Sequence, residues 1–220
     1  MNNFTVLPSS LAYLFGDVLK ALFPTQSRLS FGEKLPCRDV KVKRKDLAKA
    51  MVLTAFVHLA RQGHLTLTLS KKGRIIKRKF VLAARSGSPA GGFGGLEGQL
   101  MGVVRKDPKH NDVASVVWRL WSDDVTDPFG DVLHMGQAYL RGQGYFSEGE
   151  RRGIAKILGK KLVPECDRIL ALQGEASLIQ DMIAAFRAEQ PELYVQLWKD
   201  VGKGIASRQE ASDDDVDFDS

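Results

Sequence analysis

Sulfur is scarce in this chain: there are two cysteines, Cys37 and Cys166, far apart and neither in a CxxC pair. That excludes a thioredoxin-type redox motif and a cysteine-rich zinc site, and the expectation is two free thiols in a reducing compartment, with a disulfide between them as the lesser alternative. Histidine is equally thin. His58, His64, His110 and His134 are scattered, with no two at metal-ligand spacing on one helix. GxSxG, HExxH, a Walker loop and the dinucleotide GxGxxG are all missing, so no nucleophile elbow, zinc protease or nucleotide cradle can be read from motifs. The longest apolar run, Ala50 to Ala60, is interrupted by Thr54 and His58 and is too short to cross a bilayer. Met1 to Thr5 lacks a basic n-region, so no signal peptide is expected and the default location is cytoplasmic. The expectation is a chain without enzymatic activity, cofactor or metal.

Charge is plentiful and unevenly placed. Net charge is +6, yet Arg28 to Arg85 holds sixteen basic residues against three acids. Ser86 to Arg208 is close to neutral, and Gln209 to Ser220 carries six acids and no base. Such asymmetry assigns an anionic partner to the first part of the chain. Hydrophobic residues make up 44% of the 220, enough to bury a core in one or two domains.

The basic part has a recognisable order. KVKRKD (Lys41 to Asp46) leads into the apolar LAKAMVLTAFVHLARQ (Leu47 to Gln62), which reads as a helix buried on most sides and ended by Gly63. HLTLTL (His64 to Leu69) alternates as a strand with Leu65, Leu67 and Leu69 inward. A basic turn, SKKGR, then returns into IIKRKFVLAAR (Ile75 to Arg85). Helix, strand, charged hairpin, strand is the grammar of a winged helix. His58, alone among apolar neighbours, reads as a core residue. The predicted anion-binding set is Lys41, Lys43, Arg44 and Lys45 before the helix, with Lys71, Lys72, Arg74, Lys77, Arg78 and Lys79 on the wing.

Elsewhere the spacing predicts mostly helices. One spans Leu7 to Leu22, and SGSPAGGFGGLEG (Ser86 to Gly98) reads as a connector whose Phe93, Leu96, Leu100 and Met101 pack back on the domain. Asn111 or Asp112 caps a helix to Trp121, and another helix follows from Phe129 to Gly144. The SEGE box at Ser147 predicts a capped helix from Arg151 to Leu162. Its helix–glycine–apolar-pair order echoes the first module, as a reduced second winged-helix-like unit. Helical stretches run from Pro164, Glu175 and Pro191. The expected class is therefore mainly α with small antiparallel hairpins. Residues 1–85 form the basic module, 86–110 the connector, 111–208 a helical module and 209–220 a disordered acidic tail. Asp213, Asp214, Asp215 and Phe218 give that tail the look of a handle for a protein partner.

LAKAMVLTAFVHLARQGHLTLTLSKKGRI (Leu47 to Ile75) resembles the helix–glycine–strand segment of the Golgi phosphoprotein three family, whose members bind phosphoinositide headgroups. VVWRLW (Val116 to Trp121) and AYLRGQGYFSEGE (Ala138 to Glu150) follow in the family's order, so the resemblance covers Leu47 to Leu162. The family's headgroup ligands are a tryptophan and arginines, where this chain has Asp39, Ala48, Leu133 and Met135. No ligand residue carries over. What the resemblance implies is architecture and an anionic-surface role through the wing lysines and arginines.

Together these readings give a non-enzymatic adaptor that docks a basic winged-helix face on an anionic partner, a membrane surface in the first instance, as a cytoplasmic or peripheral membrane protein. The alternative is a nucleic-acid-binding winged helix with mainly non-specific phosphate contacts. Base reading fits poorly, because Leu47 to Gln62 is too apolar for a recognition helix.

Overall fold

A helix that is apolar on every side is stable only when other elements wrap it. The computed structural model describes residues 4–22, 32–72, 79–86, 93–121, 125–149 and 161–216, with the backbone alone described for 70–72, 79–86, 161 and 212–216. Among the described residues there are eight α-helices: α1 (Pro8–Leu14), α2 (Arg44–Arg61), α3 (Gly95–Lys106), α4 (Val113–Trp118), α5 (Pro128–Gly142), α6 (Cys166–Ala171), α7 (Gln173–Glu189) and α8 (Pro191–Val216). Three two-stranded antiparallel sheets accompany them. β1 (Gly32–Lys34) pairs with β2 (Lys41–Lys43), β3 (Leu65–Lys72) with β4 (Lys79–Ser86), and β5 (Phe146–Gly149) with β6 (Lys161–Pro164).

α2 is the axis of the core. Leu47 to Leu59 is buried except at Lys49, and α1, α3, α5, α7 and α8 all pack against it. Each fully buried Leu, Val, Met or Phe of this run contributes about 1.5–3 kcal/mol relative to exposure, so wrapping offsets the low solubility of the segment. α7 and α8, from the far end of the chain, therefore rest on the helix of the basic module. No helix of the described residues is long and apolar enough to cross a membrane.

Two helix ends are built alike. Gly63 (φ 73°) and Gly144 (φ 75°) both take the left-handed conformation. The next residue folds back in each case, His64 N–H donating to the Leu59 carbonyl and Tyr145 N–H to the Leu140 carbonyl, both at 2.9 Å. This six-to-one closure satisfies helix carbonyls and turns the chain directly into a strand. The helix–glycine–strand order read from the sequence thus occurs twice, in α2–β3 and in α5–β5.

Several expectations are corrected. The N-terminal helix stops at Leu14, and a separate 3-10 turn covers Lys20–Leu22. Gly16 lies against Leu47 so closely that a Cβ would strike that side chain, so the chain bends there to seat α2. The glycine connector ends early: Gly95–Lys106 is helical, and Leu96, Leu100, Met101 and Val104 are buried. Their four-residue spacing offsets the cost of three helix glycines. The capping box is overridden, because Phe146–Gly149 is a strand paired with Lys161–Pro164. Residues 151–160 of the predicted helix lie outside the described residues, and its end, Lys161 and Leu162, is strand. The tail is helical to Val216. Ile205 and Arg208 are buried, and elongation from a packed segment is far easier than nucleation. Cys37 and Cys166 are not free thiols but a disulfide with Cα atoms 5.4 Å apart, which the fold brings together across 129 residues of sequence.

α8 crosses α4 at Gly204, where a Cβ would lie 2.6 Å from the Ala114 carbonyl oxygen and 2.7 Å from Val117 Cβ. Neither backbone nor a β-branched carbon can give way. Gly204→Ala is expected to destabilise the fold by about 2 kcal/mol through overpacking. Gly174→Ala in α7, where a Cβ meets nothing within 4 Å, is expected to stabilise by about 0.5–1 kcal/mol. Urea unfolding of the two variants beside the parent checks both signs.

Candidate functional site

The basic run before α2 is split by the fold. Lys41 and Lys43 stand on β2, while Arg44 and Lys45 open α2. Arg44 is committed to acids, with Nη1 2.6 Å from Asp127 Oδ2 and Nε 3.8 Å from Glu33. Asp127 in turn caps α5, accepting from Gly130 N–H at 2.9 Å. Lys45 Nζ lies 5.2 Å from the centre of the Phe129 ring, a cation–π contact. Two of the four predicted cations therefore hold α5 against α2.

Lys41 is exposed and Lys43 half-buried. Directly across the β1–β2 pair from Lys41 stands Lys34, and strand pleating puts Lys34, Lys41 and Lys43 on one face. Lys20, at the start of the 3-10 turn, donates from Nζ to the Lys41 carbonyl at 3.3 Å. Among the described residues, Lys20 and Lys41 enter no ion pair. Lys34 pairs with Asp39 at 3.2 Å, but the two side chains are 63% and fully exposed, so the pair contributes at most about 1 kcal/mol. Like charges directly opposite on a sheet repel, and no core packing requires this arrangement. The result is a cationic edge of Lys20, Lys34, Lys41 and Lys43.

Beneath this edge the hairpin is pinned by Leu35 and Val42, both buried, and by Arg38. The Arg38 guanidinium binds Asp17 at 2.8 Å and sits 5.5 Å from the Phe15 ring centre.

Lys20 and Lys34 were not in the predicted set. Lys20 opens a 3-10 turn and Lys34 falls in a segment without periodicity; the hairpin register brings Lys34 to Lys41, and packing of the turn brings Lys20 to the Lys41 carbonyl. Of the wing, Lys71, Lys72 and Lys79 lie on β3 and β4, with Lys72 opposite Lys79. Their side chains, with Arg74, Lys77 and Arg78, lie outside the described residues. Asp213, Asp214 and Asp215 fall in the backbone of α8, and Phe218 lies outside the described residues.

A second feature is buried and was not anticipated. Glu97, in the first turn of α3, is fully inaccessible. It accepts from Ser9 N–H at 3.0 Å and from Ser9 Oγ–H at 2.6 Å. Burial pushes its carboxyl above the usual range, against the lowering effect of the Ser9 bonds. His58 Nδ1 lies 3.9 Å from Glu97, and the His58 ring stands edge-on to Phe4 and Phe93. Burial first, then neighbouring His64, depresses His58 to about 4. His58 is thus a core residue, as its neighbours implied, but its Nδ1 has no hydrogen-bond partner among the described residues. Nothing in the sequence around Glu97 separates it from a surface carboxylate.

An open cleft of about 630 Å³ lies between α3 and α5, lined by Phe93, Gln99, Asp131, His134, Met135 and Tyr139 among others. Among the described residues its lining contains no lysine or arginine. Met135 supplies part of its apolar wall. Comparison with protein-family models, with curated proteins and with solved structures gives no match to this chain.

Proposed function

We propose that this protein is a non-enzymatic docking protein that sets a cationic face, built on a winged-helix-like scaffold, against an anionic membrane surface. The observation that carries this reading is the gathering of Lys20, Lys34 and Lys41 at one exposed hairpin edge, where Lys34 and Lys41 oppose each other. Mutual repulsion of such charges is relieved when phosphates or carboxylates arrive. The order α2, β3, β4 and the basic composition of the stretch from Lys71 to Lys79 support a cationic wing as a second contact. A flat cluster of lysines on a short hairpin suits a surface of many headgroups better than one enclosed ligand.

The test is co-sedimentation with phosphatidylcholine vesicles doped with phosphatidylserine, beside a gel shift on duplex DNA, each over a salt series. Each lysine at an anionic surface contributes about 1 kcal/mol, so Lys34→Gln with Lys41→Gln is expected to weaken vesicle binding about 30-fold. Unchanged binding by the double variant would remove the edge from the site. A DNA shift without vesicle binding would turn the reading to nucleic-acid phosphates.

A further inference from the structure

The Cys37–Cys166 bond ties the hairpin that carries the cationic edge to the N-terminal end of α6. Cys37 sits in the β1–β2 turn, three residues from Lys34 and four from Lys41. Cys166 is an exposed residue and Cys37 is half-buried, so a reductant in solution can reach the pair. We propose that this disulfide is a redox latch on the anion-binding edge: oxidised, it holds the lysines in register, and reduced, it lets the hairpin loosen and binding weaken. This inference rests on the docking function proposed above.

The hairpin is built to depend on such a tie. Each strand has three residues, and a two-stranded hairpin this short is at best marginal by itself. Lys34 and Lys41 oppose each other in it, which lowers its stability further. Cys37 is held at φ 57°, and it is the one non-glycine residue with positive φ among the described residues. For a residue with a Cβ that conformation costs roughly 1–2 kcal/mol, and breaking the tie removes one constraint that maintains it. Leu35, Val42 and the Arg38–Asp17 pair still pin the hairpin, with the longer Arg44–Glu33 pair and the Lys20 bond to the Lys41 carbonyl at its exposed side.

The chemistry needs a dithiol reductant. Its thiolate attacks one sulfur of the pair, a mixed disulfide forms, and the other cysteine leaves as thiolate. The reductant's second thiol then displaces the first cysteine. Two electrons and two protons end on Cys37 and Cys166, and the reductant leaves as its own disulfide.

The test uses the full chain, oxidised and after dithiothreitol, with two readouts. Vesicle co-sedimentation with phosphatidylserine-doped vesicles is expected to weaken about five-fold or more on reduction, the lower end of typical site-to-site coupling. On reduction, the backbone N–H groups of 32–43 are expected to exchange through a local opening cheaper than global unfolding, while the protection of α2 and α8 falls only by the loss in global stability. The Cys37→Ser, Cys166→Ser variant should match the reduced protein in both. Unchanged protection of the hairpin overturns the latch whatever the vesicles show, and so does a hairpin that exchanges only together with α2 and α8, through global unfolding, which makes the bond a staple of the whole fold. Failure of the oxidised protein to bind vesicles, with local loosening intact, instead removes the docking function and leaves the latch without its proposed output.

Discussion

Reduction of the Cys37–Cys166 bond is expected to lower the free energy of unfolding by about 4–5 kcal/mol, because the bond closes a loop of 129 residues in the unfolded chain. Loop-closure entropy grows only slowly with length, but a loop this long is near the upper end of what one bond can supply. Domains are commonly stable by about 5–15 kcal/mol, so the reduced protein keeps its fold with a much smaller margin. Urea unfolding with and without dithiothreitol reads the difference as a shift in midpoint at similar slope. A shift under about 1 kcal/mol would mean that the unfolded chain gains little freedom when the bond opens. Global destabilisation of this size and local loosening at β1–β2 are separate quantities: the first is read from denaturation, the second from exchange under native conditions.

Acidification from pH 7 to pH 4 is expected to remove about 3 kcal/mol through His58 alone. Its folded value is about 4 against an ordinary 6.5, and each unit of separation corresponds to about 1.4 kcal/mol. The group is depressed in the folded state, so its stabilisation is present above 6.5 and is lost as pH falls through 4. Glu97 acts with the opposite sign. Its carboxyl is raised by burial, so its contribution is full below the ordinary glutamate range and declines as pH rises through the elevated folded value. Because Glu97 is already protonated where His58 would charge, it offers no counter-ion to the imidazolium. Ser9 donates both its N–H and its Oγ–H to Glu97, Phe4 and Phe93 are apolar, and His64 opposes a second positive charge, so these described neighbours do not stabilise an imidazolium. His58→Phe keeps an aromatic ring between Phe4 and Phe93 and is expected to flatten the acid limb of stability against pH. Urea midpoints taken across this range decide it, and parallel profiles for parent and variant would show that His58 does not titrate from a buried neutral state.

What the residues made legible follows from local physics. An apolar run without a polar face had to be a wrapped helix, and Leu47 to Leu59 is one. Leu65, Leu67 and Leu69 had to face inward from their alternation; Leu65 is buried, and Thr66 and Thr68 are exposed. Asp112 caps α4 as its position suggested, accepting from Ser115 N–H at 3.0 Å. The glycine stops at Gly63 and Gly144 depend only on their freedom to take positive φ. The glycine-rich stretch misled at its end, because helix propensity cannot weigh the burial of Leu96, Leu100 and Val104. SEGE misled in the same way: a local capping signal lost to strand pairing with residues 161–164.

By itself, then, the sequence determined the helical class, the wrapped central helix, the positions of its glycine stops and the concentration of positive charge before Arg85. These are properties of neighbours along the chain, where spacing of three to four residues or two is enough. Only tertiary structure decided which charges are used. It committed Arg44 to Asp127 and Glu33 and set Lys45 against Phe129, left Lys41 at an edge with Lys20 and Lys34, buried Glu97 under Ser9, and joined Cys37 to Cys166. Partners so distant in sequence meet because packing around α2 brings their elements together, and no periodicity along the chain encodes that meeting.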